Sequence, residues 1–285
     1  MFLRLMVVTL ILTPLVVVLT LFPVNAAPIW VERNFVAPNK LIDEVFTRSN
    51  DQSTIVIDHS EWGRFLSKYA RARDDGLNVV DYRGVSPEDA MALDVYIESL
   101  SAIDVTTLNK DEQLAFWINM YNAVTVQLII KSDPVDSIRD LNKPWDRPRV
   151  EVNGVSLTLN QIESGIIRPV YDDPRIHYAV NCASIGCPNL ALMAYSGSTL
   201  DDMLDAGARN YINHPRGVSV KGRRVIASKI FGWYREDFGA DVPAVLDHIR
   251  KYADDDLKAS LEGRTKISKY IYDWNLNDRN AASAK

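Results

Sequence analysis

Hydrophobic and polar positions along the chain alternate at helical spacing through most of its length, with short stretches of strand-like alternation between. SEWGRFLSKYARA puts Trp62, Phe65, Leu66 and Tyr69 on one helical face, with Ser60 as the expected N-cap and a basic end that suits the helix dipole. SPED opens a second helix: Ser86 caps it, Pro87 takes the first turn and Asp89 sits at the capping-box position. From Asp111 to Lys131, DEQLAFWINMYNAVTVQLIIK is apolar on almost every face, which predicts a central helix packed on all sides.

Further on, RVEVNGVSLT predicts a hairpin turning at Asn153-Gly154, and Thr158 with Gln161 forms a capping box for the helix that follows. That helix carries Leu159, Ile162, Ile166 and Ile167 as its apolar stripe and ends at Arg168-Pro169. Residues 175–181 predict a buried strand, 200–213 a helix, VSVKGRRVIAS a second hairpin, DVPAVLDHIRKYA an amphipathic helix and KYIYDWNLND a last strand. Helices at both ends with hairpins between them predict an α+β fold, a single domain in which helices pack around short antiparallel strands and a buried central helix.

The ends of the chain change the picture next. Arg4 precedes an apolar stretch, Leu5 to Val24, broken by threonines and Pro14. Val24-Asn25-Ala26 satisfies the small-x-small cleavage rule, so residues 1–26 are read as an export signal cut after Ala26, giving a periplasmic or secreted protein. The alternative is an uncleaved inner-membrane anchor formed by residues 5–24, because about 20 apolar residues also span a bilayer. Residues 27–57 mix Pro, Asn and short apolar runs and predict a loosely structured lead-in, 58–278 the globular domain, and 279–285 a flexible tail.

Composition narrows the classes. The 285 residues carry a formal net charge of −5, which gives no global basic field for nucleic acid. The local cluster Arg216, Lys221, Arg223, Arg224 and Lys229 is read as the solvated face of a hairpin. No repeat or flexible linker divides the chain, and no cofactor motif is present.

Candidate chemistry concentrates in HYAVNCASIGCPNL, which holds both cysteines of the chain, Cys182 and Cys187, just after His177. A nucleophile, a metal site and a structural disulfide compete as readings of that stretch. In an extended strand His177 and Cys182, an odd five residues apart, point to opposite faces with their Cα atoms about 16 Å apart, so a direct dyad requires the chain to fold back. Metal binding has only His177, Cys182, Cys187 and His214 to draw on, without a standard zinc spacing. A disulfide suits an exported protein, and closing so short a loop contributes about 2 kcal/mol by chain entropy, enough to pin a loop.

A thiol-redox pair ranks below these, since Cys-x4-Cys departs from the usual Cys-x-x-Cys. Glu163 falls within an apolar stripe and is either an ion-pair partner, with Arg168 or Arg175, or a working acid/base. Asn119 and Asn122 project from the apolar helix and are expected to tie down neighbouring loop backbone, with an oxyanion-donating role as the alternative.

DHSEWGRFLSKYA, LAFWINMYNAVTV, VDSIRDL, LTLNQIESGIIRP, DPRIHYAVNCASIGCPNL, NHPRGV, SKIFGWYREDFG and YDWNLN together resemble the domain of unknown function catalogued as number 547, over about Asp58 to Asp278. Proteins similar to this one are exported in bacteria and form parts of intracellular multidomain proteins in plants and animals. If the cytosolic relatives keep both cysteines, a disulfide alone is not the reason for them. The resemblance implies that Asn119, Asn122, Glu163, Arg168, His177, Asn181, Cys182, Cys187 and Asp273 gather around one pocket. On that footing Cys182 is the expected nucleophile of a thiol-dependent hydrolase or acyl transferase acting on an envelope substrate, with His177 as base or orienting partner and Glu163 holding the imidazole. A non-catalytic envelope binding module with a Cys182-Cys187 disulfide is the alternative.

Overall fold

The structure, a computed structural model, describes residues 28–33 and 36–280. The expected export signal or anchor, with its cleavage site, lies outside them, as do residues 281–285 of the expected tail. Among the described residues no helix is long and apolar enough to cross a membrane. The architecture is α+β, with helices packed on short strand pairs.

The helix Lys110–Ser132 is the axis of the fold. Asn109 caps it by accepting from the Glu112 backbone amide, and every residue from Glu112 to Val126 is buried. Burial on all faces follows from its lack of a polar face, and the helix is hydrophobic all round because neighbours cover it all round. Helix Pro87–Ser101 packs on it, capped by Ser86 as the sequence predicts. Helix Ser60–Tyr69 buries Trp62, Phe65, Leu66 and Tyr69, but its N-cap is His59 rather than Ser60. The side chain that meets the first turn belongs to Asp58, which accepts from the Ser60 amide.

Strands β1 (Ala70–Ala72) and β2 (Asn78–Val80) pair antiparallel, as do β3 (Pro148–Val152) and β4 (Val155–Thr158). The latter hairpin turns at Asn153 and Gly154, both with positive φ, as an Asn-Gly turn requires. Strands β5 (Val218–Lys221) and β6 (Arg224–Ser228) form the second predicted hairpin, to which β7 (Lys269–Ile271) adds in parallel rather than antiparallel.

Two apolar cores result. The larger surrounds the central helix and the smaller joins helices Leu200–Ile212 and Val242–Tyr252 to β5 and β6. The segment between them departs from the sequence reading. Residues 174–178 form a 3-10 turn, not a strand, because Pro174 and the Asp173 side chain, accepting from the Arg175 amide, close a tight turn. Ile176 and Ala179 then enter the larger core while Tyr178 enters the smaller one.

The lead-in is more ordered than a loose docking implies. Phe46 is fully buried with its ring 5.4 Å from that of Trp117, and the Lys40 and Ile42 amides donate to the Ser164 and Gly165 carbonyls. Lys221, Arg223 and Arg224 lie on the solvated hairpin face as expected. Lys229 is instead buried against Glu32, and Arg216 is tucked beneath a loop described below.

Candidate functional site

The sequence Ala179–Pro188 leaves the 3-10 turn and wraps back on itself, and buried amides hold it there. Asn122 donates to the Ala179 carbonyl and accepts from the Asn181 amide, both within 2.9 Å. Asn181 in turn accepts from the Ala183 amide and donates to the Pro188 carbonyl at 2.6 Å, closing the loop on which both cysteines sit. Asn119 does the same for Tyr195, donating to its carbonyl and accepting from its amide. Asn119 and Asn122 each bond backbone through both Nδ2 and Oδ1, so both tie down neighbouring loop backbone.

The far side of the loop meets the end of the chain. The Ile185 amide donates to the Asn275 carbonyl and the Gly186 amide to the Asp273 carbonyl. The approach at Gly186 is so close that a Cβ there would lie 2.7 Å from the Asp273 nitrogen, which is why this position lacks a side chain. Ala183 takes a left-handed φ of 60°, the local cost of the reversal. Arg216 supports the loop from beneath, donating to the Ile185 carbonyl and to Asn189.

The reversal brings the two sulfurs to 2.7 Å. That is outside the ~2.05 Å of a disulfide bond, and both cysteines are free. Around Cys182 Sγ stand three groups that can donate to a thiolate there: the Cys187 thiol, the Ser184 hydroxyl at 3.3 Å and the Tyr272 hydroxyl at 3.1 Å, the two hydroxyls being 3.0 Å from each other. The Cys182 amide meanwhile donates to Cys187 Sγ at 2.9 Å.

These contacts divide the pair. The hydrogen bond from Cys187, followed by those from Ser184 and Tyr272, outweighs burial and holds the Cys182 thiol below its ordinary value. Burial first, and the donation to Cys182 second, pushes Cys187 well above it. Burial also keeps Tyr272 protonated, the form in which it can donate.

The acid/base residues assemble differently from the sequence expectation. His177 Nε2 is 2.7 Å from Asp237 Oδ2, whereas its Nδ1 is 3.9 Å from Glu163 Oε1. Asp237, not Glu163, therefore holds the imidazole, and Asp237 also takes the bidentate ion pair from Arg168 at 2.6 and 2.9 Å. Burial alone would raise the Asp237 carboxyl, but the His177 and Arg168 contacts prevail and keep it well below the ordinary carboxylate range. Glu163 has neither Arg168 nor Arg175 as an ion-pair partner; Arg175 is bound to Asp173, Asp201 and Asp205.

Glu163 accepts instead from Tyr121 at 3.2 Å and interacts with the Tyr234 hydroxyl, two phenols kept protonated by burial and then by its charge. It opens a π-helical turn, Glu163–Ile167, an irregularity often found at functional sites. No hydrogen bond joins His177 to Cys182, since both ring nitrogens face carboxylates.

Glu163, His177, Cys182 and Cys187 line one cavity of about 500 Å³. Asn119, Asn122, Asn181, Arg168 and Asp273 do not line it. Asn122, Asn181 and Asp273 shape the loop, Asn119 holds Tyr195, and Arg168 fixes Asp237. Asp273 acts through its backbone, and its carboxylate caps a turn by accepting from the Asn275 amide. Its neighbour Tyr272 is the residue that reaches the thiol. The remaining walls are largely aromatic: Trp233 and Trp274 pack against Tyr272, with Trp274 and Tyr272 ring centres 4.6 Å apart, and Trp145 packs on Trp274. His214 is elsewhere, bonded to the Asp75 carbonyl, and no three His, Cys, Asp or Glu among the described residues are grouped to hold a metal ion.

Asp237, Tyr272, Tyr234 and Ser184 were not singled out by sequence reasoning. Asp237 and Tyr234 belong to SKIFGWYREDFG, whose carboxylates gave no periodicity signal, and Ser184 lay in plain view between the cysteines.

A family model described as protein of unknown function, DUF547, matches residues 105–212. The match bears out the resemblance over the central helix, the π-helical turn and the cysteine loop. No curated protein and no solved structure matches the chain.

Proposed function

We propose that the cavity is the site of a thiol-dependent hydrolase or acyl transferase in which Cys182 is the nucleophile, acting outside the cytoplasm as the N-terminal sequence suggests. The supporting observation is the ring of donors around Cys182 Sγ, which favours the thiolate at the edge of an accessible cavity. Activation comes from these donors rather than from a histidine. When the sulfur attacks an acyl carbonyl carbon, the Sγ–C bond forms and the negative charge moves to the carbonyl oxygen. Tyr272, which lines the cavity and is released from the neutralised sulfur, is placed to donate to that oxygen.

Collapse of the adduct breaks the bond to the leaving group, which takes a proton relayed from the Glu163–His177–Asp237 cluster. Water, giving up its proton to the same cluster, then releases the acyl group and restores the thiolate. Incubation with an activated aryl ester, followed by intact-mass measurement, tests the reading. An acyl adduct on Cys182, absent in Cys182→Ser, is expected; equal turnover by both proteins refutes it.

The 2.7 Å contact between sulfurs favours a second reading, thiol redox chemistry, in which a hydroperoxide oxidises Cys182 to the sulfenic acid and Cys187 displaces water to form a disulfide. A stoichiometric loss of two hydrogens on peroxide treatment, without an ester adduct, is the outcome that selects it.

A further inference from the structure

We propose that the cavity beside Cys182 holds the apolar chain of an acyl group, so that the substrate is a long-chain acyl ester or thioester. The proposal rests on the acyl-transfer reading above, because that chemistry fixes which part of the substrate lies where. The carbonyl carbon must bond to Cys182 Sγ, and the remainder of the acyl group must occupy the space beyond it.

That space is mainly apolar. Its walls beyond the thiol include Trp145, Val180, Ile230, Trp233 and Trp274, with Val31 and Val36 of the lead-in, and the cationic side chain of Arg139, which reaches it, lies over the Trp274 ring at 5.1 Å. The acidic side chains that reach it already have partners. Glu32 accepts from Lys229 Nζ at 2.5 Å and from the Trp233 indole at 2.8 Å, Asp146 accepts from Asn160, and His177 lies between Asp237 and Glu163. A polar ligand would therefore find these acidic groups already paired, with the Tyr272 hydroxyl standing beside the thiol. Polarity at one end and hydrocarbon along the rest is the profile of an acyl chain. The volume, about 500 Å³, lies within the range that encloses most of a drug-sized ligand.

The lead-in strengthens the assignment. Residues 28–33 and 36–37 are clamped over the cavity by Glu32, by Arg33 to Glu236 at 2.6 Å, and by Arg168 donating to the Ala37 carbonyl. In sequence this wall begins only a few residues after the apolar stretch Leu5 to Val24. The same acyl chemistry is available from a bilayer phospholipid or from a soluble acyl thioester, and the two sources are separable by experiment.

Cys182→Ser protein, which keeps the cavity but not the nucleophile, is titrated with fatty acids from butyrate to palmitate while tryptophan fluorescence is followed. The dissociation constant is expected to fall about fourfold per added methylene until the cavity is full, and then to level. Val36→Trp, which fills the far wall, should level at a shorter chain. Affinity independent of chain length overturns the proposal. Wild-type protein is then mixed with acetyl- and palmitoyl-pantetheine and weighed intact. Faster palmitoylation of Cys182 supports both readings; equal rates overturn the chain assignment alone. Chain-length-dependent binding with no adduct overturns the nucleophile and, with it, the substrate assignment. Deacylation of phosphatidylglycerol vesicles in preference to the soluble thioester identifies the bilayer as the source, and the reverse identifies the soluble donor.

Discussion

Tyr272→Phe isolates one of the three donors around Cys182. The substitution keeps the ring, and with it the packing against Trp233 and Trp274, and removes the hydroxyl that lies 3.1 Å from the sulfur and 3.0 Å from the Ser184 hydroxyl. A hydrogen bond to a charged group contributes about 1.5 to 3 kcal/mol, and ~1.4 kcal/mol is a factor of ten. Losing it should reduce the thiolate fraction by about ten- to a hundredfold at any pH well below the midpoint.

The thiolates that remain are more basic and more nucleophilic, with a Brønsted coefficient of about 0.4 to 0.5, so roughly half of the loss in logarithmic terms is recovered. The net expectation is a fall of about three- to fifteenfold in alkylation rate, with the midpoint of the rate–pH profile displaced upward. The assay is stopped-time iodoacetamide labelling with peptide mapping. Cys187 stays silent on this timescale because it is buried and its thiol is pushed up. Cys187→Ala, which removes the largest single contribution, should displace the profile further in the same direction. Superimposable profiles for wild type and Tyr272→Phe would refute the donor ring as the source of activation.

Other expectations follow from the same geometry. Asp237→Asn leaves the Arg168 guanidinium, 5% exposed, without its carboxylate and should cost about 3 to 5 kcal/mol in urea unfolding. Because the folded-state Asp237 carboxyl lies below its unfolded value of about 3.9, its stabilisation is complete above that pH and lost below it, so wild type and variant should converge on acidification. Asn122→Ala strands the buried Ala179 carbonyl and Asn181 amide, an expected loss of about 2 to 4 kcal/mol measurable by thermal melting. Gly186→Ala forces the loop away from Asp273, and hydrogen exchange at the Gly186 amide should accelerate by at least tenfold, about 1.4 kcal/mol of local opening. Protection unchanged in that variant would show that the Asp273–Asn275 segment does not clamp the loop.

The helices were legible in the sequence wherever a single cause set them. The unbroken apolar character of DEQLAFWINMYNAVTVQLIIK announced burial on all faces, and Ser86, Thr158 and Asn153-Gly154 acted through local hydrogen bonds and backbone preferences that tertiary contacts did not override. Residues 175–181 were misread because a short apolar run between prolines and a loop carries no period long enough to separate a strand from a tight turn. The site was legible in its cysteine loop and its two helical amides, which share one stretch or one helix. Asp237 was not, because its partners lie 60 and 69 residues away in sequence. Nor was Tyr272, which sits beside the named Asp273 where alternation along the chain turns one side chain to the thiol and leaves the other capping a turn.

The histidine question shows how a sound conclusion can outlive its premise. Strand parity argued against a direct His177–Cys182 dyad, yet residues 174–178 are not a strand and parity has no force there. The dyad is absent for an electrostatic reason: Nε2 is committed to Asp237, which also holds the buried Arg168. Moving His177 to the thiol would leave Asp237 with one cation in place of two neighbours. In the proposed mechanism the thiolate is served instead by Cys187 and Ser184 of the chain's own loop and by Tyr272. A loop that needs a second thiol as a donor gives Cys187 a role in the reduced state, and so explains why two cysteines can be kept at this spacing where no disulfide forms. In the proposed mechanism His177 serves the leaving group and water through Nδ1, which at 3.9 Å is beyond hydrogen-bond reach of Glu163. Replacing it by glutamine should accordingly leave alkylation of Cys182 within about twofold of wild type while slowing acyl release by about 10²- to 10⁴-fold, the range for loss of general acid/base catalysis. Loss of alkylation in that variant would return the imidazole to the sulfur and overturn the division of labour argued from the structure.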